Sequence, residues 1–321
     1  MDRIPIETWS YIFQLSCIDG GRTGCALSET CSYFRTAVLP VQLHSVALIG
    51  GDKAQAFLTM LERRAPEHRR VEHLFISQQG QGCPTLAPST QARLLTLLAP
   101  TLRTFTSTLP QKTLVLGRAS PLVHALPRLE ALTMHGYLVA PPPLAAGAQL
   151  QPLPALRRLH LLSACDTALS VVPRAPRLAV LRLEGVWGMA DALYDGLLRF
   201  VRGDDGGAAA DDDAPQGPLL MPPTLERVVI APDWKIGRFY YGQDHEREGM
   251  YSRLKAADRR GVLTLLETKP AALERRRVSD VRREWEEGIV GRERCWGASE
   301  SWDLAWTRRN ALVHRRHALD I

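Results

Sequence analysis

The sequence predicts an α/β protein of the solenoid type, with all-α N-terminal helices, an irregular repeat array and a helical C-terminal tail. Three observations predict this class. The first 45 residues carry apolar side chains at helical spacing, a frame of proline and leucine recurs along the middle of the chain, and helical spacing returns near the end. From these changes of pattern we predict domains at residues 1–45, 46–268 and 269–321.

The N-terminal segment carries two apolar stripes. Ile6, Trp9 and Phe13 recur at positions i, i+3 and i+7, and we assign Ile12 to the same face. The pair Gly20-Gly21 interrupts the helix, and a second stripe follows with spacings of 4, 3 and 4 residues at Leu27, Cys31, Phe34 and Val38. Each short helix has only one apolar stripe to bury, so the two cannot form an independent core. We expect them to pack against the rest of the chain or against a partner.

The central region repeats the frame Pro-x-Leu-x-x-apolar. The first leucines of the frame are separated by 27, 27, 22 and 47 residues and lie at Leu102, Leu129, Leu156, Leu178 and Leu225. A weaker copy without the proline occupies residues 71–76. This spacing is the period of leucine-rich repeats, in which a short strand is followed by a helical stretch and each unit packs only on its neighbours. The alternative is an ordinary α/β domain in which leucines recur by chance, and the five in-frame prolines argue against it.

The repeat array is irregular. The chain lacks the asparagines that would cap the turns of a regular array, because its single asparagine is Asn310. A proline-rich insertion spans residues 140–152, and an acidic, glycine-rich segment at residues 203–218 predicts a disordered surface loop.

Composition narrows the class of protein. No run of eighteen apolar residues predicts a transmembrane helix, and residues 1–5 do not resemble a secretory signal. The six cysteines form no CxxC pair, which favours reduced thiols and a cytoplasmic or nuclear location. The net charge of +6 and the pI near 9.1 raise the possibility of nucleic-acid binding. However, 35 of the 40 basic residues are arginine, as a GC-rich genome would produce, so we interpret them as a solvated surface.

Four segments carry a resemblance to a known family. Residues 4–13, Ile-Pro-Ile-Glu-Thr-Trp-Ser-Tyr-Ile-Phe, resemble the opening of the F-box, and residues 26–35 resemble its second helix. Residues 43–48 are similar to the strand that follows the F-box in fungal members, and residues 283–296 are similar to a tail of many fungal F-box proteins. The chain is thus identified by resemblance as a fungal F-box protein with an irregular leucine-rich-repeat-like C-terminal region.

This resemblance implies a substrate-receptor subunit of a Skp–cullin–F-box ubiquitin ligase. The N-terminal helices would bind a Skp-family adaptor, which links to a cullin–RING ligase, and the repeat array would bind a protein target. The adaptor-binding residues that it implies are Ile4, Pro5, Ile6, Glu7, Trp9, Ile12, Phe13, Leu27, Cys31 and Phe34. For Leu27, Cys31 and Phe34 the alternative is that they brace the helices internally. A further alternative is that eight of these residues pack onto the array: Ile4, Pro5, Trp9, Ile12, Phe13, Leu27, Cys31 and Phe34.

We expect no catalysis, cofactor or metal in this chain. It contains no Gly-x-Ser-x-Gly elbow, P-loop or His-Glu-x-x-His motif. The spacing of Cys17, Cys25, Cys31 and His44 matches no common zinc module, which favours buried thiols over zinc ligands. Two other functions stay open: a repeat-type interaction scaffold whose N-terminal helices form a cap that buries the Trp9 face, and a basic nucleic-acid-binding protein.

Overall fold

Eight strands form one parallel sheet in the computed structural model, which describes residues 4–78, 86–108, 123–135, 150–162, 165–186, 189–204, 219–232, 244–266 and 278–290. The strands are β1 (Ser45–Ile49), β2 (His73–Ser77), β3 (Thr104–Thr108), β4 (Ala131–His135), β5 (Arg158–Leu162), β6 (Val180–Val186), β7 (Arg227–Pro232) and β8 (Leu263–Leu265). They lie in the sheet in the order of the chain.

Nine α-helices occur within the described residues. They are α1 (Ile6–Ser16), α2 (Arg22–Thr30), α3 (Ser32–Val38), α4 (Gly51–Arg63), α5 (Pro88–Leu98), α6 (Cys165–Val171), α7 (Asp191–Arg202), α8 (Asp244–Ala257) and α9 (Val278–Ile289). Two 3-10 turns, Pro66–His68 and Val172–Arg174, lie in connections between them. None of the helices in these residues is long and apolar enough to cross a membrane.

The predicted fold class, an all-α N-terminal module followed by a solenoid-type leucine-rich-repeat array, is wrong. The structure is a single eight-stranded parallel sheet with helices, and its first strand begins at Ser45, directly after the N-terminal helices. The register is continuous, since Ser45 pairs with His73, His73 with Thr104, and Thr104 with Ala131. A strand and a helix recurring every 22 to 27 residues is a pattern that a parallel sheet with helical crossovers also produces. The period alone therefore does not distinguish the two architectures.

The repeated proline–leucine frame has a structural role in this sheet, because it forms the turn that enters each strand. The leucine N–H donates a hydrogen bond to the carbonyl oxygen three residues earlier in four of the five copies, at Leu129, Leu156, Leu178 and Leu225. These N···O distances are 3.0–3.2 Å. All five leucines of the frame are buried. The turn therefore places one apolar side chain under the sheet just before each strand starts.

The main hydrophobic core lies between one face of the sheet and helices α4–α8. Alternate strand residues such as Leu74, Leu132 and Leu181 point to this face and are fully buried. They pack with helix residues that include Leu94 and Leu197. The opposite face carries mainly polar side chains and is contacted by α9, at the end of the described chain.

The N-terminal helices have a small core of their own. Phe13, Cys17, Ala37 and Val38 are buried together, separately from the main core. The sequence predicted two helices, whereas the structure has three that share this small cluster, and the reason lies at Cys31. This residue is extended, with φ −158° and ψ 167°, so the second stripe is divided between α2 and α3. Three helices rather than two then share their apolar faces.

The loop between α1 and α2 fixes the N-terminal helices to the sheet. The Gly20 N–H donates to Ser45 Oγ at 3.0 Å, and Ser45 Oγ donates to the Cys17 carbonyl at 2.8 Å. The Ala47 N–H donates to the Gly20 carbonyl at 3.3 Å. From the other side, Arg282 Nη2 in α9 donates to the Asp19 carbonyl at 2.8 Å. Helix α9 thereby contacts both the sheet and the N-terminal helices.

Helix α9 is the part of the predicted Arg/Trp-rich tail that the structure describes. Its Trp285 ring packs on Phe75 of β2, with ring centroids 5.6 Å apart, and Val281 completes this cluster. The remainder of the predicted tail, at residues 269–277 and 291–321, lies outside the described residues, as do residues 205–218 of the predicted acidic loop.

Candidate functional site

The outward face of α1 carries an exposed apolar stripe. Ile4 is 38% exposed, Tyr11 64%, Ile12 39% and Leu15 61%. Tyr11, Ile12 and Leu15, at positions i, i+1 and i+4, lie on one side of the helix, and Ile4 lies just before its first turn. Few large apolar side chains in the described residues are as exposed as Tyr11 and Leu15. We call these four residues the α1 stripe.

The inward face of α1 holds the N-terminal helices together. The Trp9, Phe13 and Phe34 rings form a cluster with centroid distances of 5.0–5.4 Å, and Phe13 meets Phe34 edge to face. Ile6 and Leu27 pack against the same core. Five of the ten residues predicted to bind the adaptor, Ile6, Trp9, Phe13, Leu27 and Phe34, therefore face the interior of the helix group.

The other five predicted residues, Ile4, Pro5, Glu7, Ile12 and Cys31, are exposed. The Cys31 Sγ accepts a hydrogen bond from the Phe34 N–H at 3.4 Å, so this side chain caps α3. Sequence reasoning placed Ile12 on the Trp9 face and missed Tyr11 and Leu15. The spacing of Leu15 from Tyr11 and Ile12, four and three residues, was the signal that could have found them.

An open groove runs beside the α1 stripe, between α1 and the segment that follows α3. Its volume is about 410 Å³, and its lining includes Ile6, Glu7 and Tyr11 on one side and Pro40 and Val41 on the other. Ser10 Oγ donates to the Ala37 carbonyl at 2.8 Å, which fixes the distance between the two sides. The groove can receive an apolar side chain of a partner, with the Glu7 carboxylate at its edge.

The polar face of the sheet is a second candidate surface. On neighbouring strands, His160 Nε2 lies 3.4 Å from Glu184 Oε1, and Arg182 also forms an ion pair with this carboxylate. His160 and Glu184 are both buried. A cavity of about 50 Å³ lies between this face and α9, lined by Thr106, Thr133, Arg158, His160 and Trp285 among others. The surface combines hydroxyl, imidazole and guanidinium groups, which can bind polar groups of a ligand or peptide.

A third cluster lies where β1, β2 and β3 begin. The buried Glu72 carboxylate is 2.6 Å from Arg70 and 3.6 Å from Arg103, and His44 Nδ1 lies 3.9 Å from it. Arg103 also pairs with Glu130 at 2.8 Å, and this hydrogen bond raises the pKa of Arg103. The network ties together the starts of four neighbouring strands.

Burial controls the charge of the two histidines in this cluster. It lowers the pKa of His44, and the Glu72 carboxylate partly opposes that shift. Burial also lowers the pKa of His73 to about 3, with a further contribution from His44. The direction of both shifts keeps the imidazoles uncharged at neutral pH. The His73 Nδ1 is hydrogen-bonded to Thr104 Oγ1 at 3.0 Å.

The cysteines near the N-terminus do not join this cluster. Cys17 is buried, and burial raises the pKa of its thiol to about 11. Cys25 and Cys31 are exposed, so the expectation of buried thiols is wrong for these two. Among the described residues, the one group of three or more His, Cys, Asp or Glu side chains arranged to hold a metal ion is His44, Glu72 and His73.

Comparison with known proteins adds no family to this geometry. No protein-family model matches the chain, and no curated protein is similar enough to be matched to it.

Proposed function

We propose that the chain is a substrate-receptor subunit of a Skp–cullin–F-box ubiquitin ligase. Its N-terminal helices bind a Skp-family adaptor, and the sheet that follows them binds a protein target. The observation that carries the proposal is the α1 stripe. A group of helices with a complete core of its own still exposes a row of apolar side chains. Such a row is typical of a helix that binds in the groove of a partner.

The energy available at the α1 stripe fits a stable complex. Burying one leucine, isoleucine or tyrosine-sized side chain contributes about 1.5–3 kcal/mol. Tyr11 and Leu15 are mostly exposed and can contribute most of this energy, whereas Ile4 and Ile12 are already more than half buried and contribute less. The stripe borders the open groove beside Tyr11. A partner that covers both surfaces gains from several side chains at once, as the central residues of protein interfaces do.

The burial of Trp9 bears on the alternative of a cap without a ubiquitin role. A cap would bury the Trp9 face against the array, whereas Trp9 packs against Phe13 and Phe34 of its own helix group. The face that stays exposed belongs to Ile12 and Leu15. This arrangement favours a partner other than the sheet.

The attachment of the helices to the sheet also suits a receptor. Hydrogen bonds from Gly20, Ser45 and Arg282 hold the N-terminal helices against β1 and α9. A target bound on the sheet would therefore keep a constant position relative to the adaptor. In this proposal the chain positions the target relative to the adaptor, and other subunits carry out the transfer of ubiquitin.

Co-expression of the full chain with a fungal Skp-family adaptor tests the proposal. We expect the two proteins to co-purify, and we expect Ile12→Glu or Leu15→Glu to weaken the complex. Placing a carboxylate in the centre of an apolar interface costs about 2 kcal/mol or more, roughly 30-fold in affinity. The matched control is Leu220→Glu, because Leu220 is an equally apolar side chain that is 79% exposed far from α1 in the sequence.

Two outcomes would count against this proposal. Failure of the wild-type chain to co-purify with the adaptor contradicts the function itself. Equal binding by the wild type and Leu15→Glu shows that the α1 stripe is not the adaptor surface. Circular dichroism of each variant checks that the helices are intact.

A further inference from the structure

We propose that His44, Glu72 and His73 form a binding site for one zinc ion at the edge of the sheet where β1 and β2 begin. Each of the three side chains offers one ligand atom, and these atoms all lie within 4.8 Å of one another. All three residues are buried. The site goes beyond the proposed receptor function and does not rest on it.

The backbone holds the three ligands in place before any ion binds. The N–H groups of Glu72 and His73 both donate to the His44 carbonyl, each at 3.0 Å. The His44 and His73 rings meet edge to face, with centroids 4.9 Å apart. Ligands that are already positioned in this way lose little conformational entropy when an ion binds.

The orientation of His73 fits a metal ligand. Its Nδ1 is hydrogen-bonded to Thr104 Oγ1, so Nε2 is the atom that would coordinate the ion, with the Nδ1–H donating to the hydroxyl. Histidines that bind metals usually form such a hydrogen bond through the second ring nitrogen, because it fixes the tautomer and the direction of the ring. Thr104 is therefore a positioning residue for the site.

The ligand set favours zinc over the hard cations. Two imidazoles and one carboxylate match the nitrogen and oxygen ligands of three-ligand zinc sites, whereas calcium and magnesium prefer oxygen alone. In a tetrahedral site the ligand atoms lie roughly 3.3–3.6 Å apart, given zinc bonds of about 2.0–2.2 Å. The His44 Nδ1–Glu72 Oε1 distance is 3.9 Å, and all the ligand atoms lie within 4.8 Å of one another, so the side chains must move closer together when the ion binds.

Arginines near the site repel a bound cation, and they also orient the Glu72 carboxylate. Arg70 contacts Glu72 Oε1 at 2.6 Å, Arg103 lies 3.6 Å from Oε2, and Arg158 adds positive charge near His73. The Arg70 and Arg103 side chains are about half exposed, so solvent screens their charge. Zinc must therefore compete with Arg70 for one carboxylate oxygen, which predicts moderate rather than extreme affinity.

Zinc titration of the full chain, purified without a histidine tag and treated with a chelator, tests the site. We expect one ion per chain by mass spectrometry, a dissociation constant on the order of 1 µM and a higher melting temperature with zinc. His44→Gln and His73→Gln should each lose the site, and Thr104→Val should weaken it by about tenfold. His68→Gln is the matched control, because His68 lies outside the cluster.

Hydrogen exchange of the wild-type chain locates the ion without any variant. Zinc should slow exchange around residues 44–46 and 72–75, where the ligands join two segments. The inference is overturned if the wild type binds no zinc at about ten times the expected dissociation constant. It is equally overturned if zinc binds without slowing exchange in those two segments, or if folded His44→Gln and His73→Gln bind it as tightly as the wild type.

Discussion

At the scale of single residues, Gly20 determines how closely the N-terminal helices approach the sheet. Its φ of +76° lies in the left-handed region, and a Cβ at this position would stand 2.8 Å from both Ala47 Cβ and Arg282 Nη2. Two constraints, on conformation and on space, therefore coincide at one residue. Gly203 has a similar φ of +79°, but a Cβ there would have nothing within 4 Å, so Gly203 is subject to the first constraint alone.

We expect Gly20→Ala to lower the free energy of unfolding by about 2–4 kcal/mol, because left-handed strain and overpacking add. Gly203→Ala, with strain alone, should cost about 1 kcal/mol. Urea denaturation of both variants measures the difference. Equal losses would mean that Arg282 and Ala47 move aside freely, so that the close approach does not affect the free energy of unfolding.

Helical spacing in the sequence was enough to predict a helix at α1 but not to decide which way each of its apolar side chains faces. Ile12 follows Trp9 by three residues, so it fits the inward stripe by spacing, but it lies on the outward side with Ile4 and Leu15. A helix with two apolar faces gives no unique stripe. Deciding between the faces requires the third helix, whose position depends on the whole chain.

At the scale of elements, the two faces of α1 differ, since one packs in the core of the N-terminal helices and the other is exposed, where we propose that the adaptor binds. Phe13 belongs to the buried aromatic cluster, and Leu15, two residues later, is mostly exposed. The break at Cys31 creates the α3 that completes this core. Sequence spacing concealed that break, because Leu27, Cys31 and Phe34 keep helical intervals across it.

Phe13→Ala should therefore reduce mainly stability, and Leu15→Ala should reduce mainly adaptor binding. Phe13→Ala should destabilise the N-terminal helices by about 3 kcal/mol or more, as loss of a buried aromatic does. Leu15→Ala should change stability by no more than about 0.5 kcal/mol and should still weaken adaptor binding. Hydrogen exchange of residues 6–38 reports the first effect, and comparable protection in the two variants would contradict this division of the helix.

At the scale of the whole molecule, the sheet and helix α9 connect segments that lie far apart in the sequence. Strand positions followed from the repeat, and each frame leucine is buried where a strand begins. The sequence could not distinguish separate repeat units from one continuous sheet, because both need a strand and a helix at the same interval. Nor does any local pattern show that α9, more than 200 residues from β2, packs on Phe75.

Arg282 of α9 contacts the loop between α1 and α2, so we expect its substitution to weaken the attachment of the N-terminal helices to the sheet. Arg282→Gln removes the hydrogen bond to the Asp19 carbonyl and should lower the free energy of unfolding by about 1.5–3 kcal/mol, the usual range for a hydrogen bond to a charged group. Exchange should quicken at residues 17–21 and stay unchanged in β6–β8. The neighbouring Arg283, 70% exposed and 3.8 Å from Asp280, provides the control Arg283→Gln, which should have almost no effect. If both variants exchange like the wild type at residues 17–21, α9 packs on the sheet without holding the N-terminal helices, and their attachment to β1 depends on the hydrogen bonds of Gly20 and Ser45.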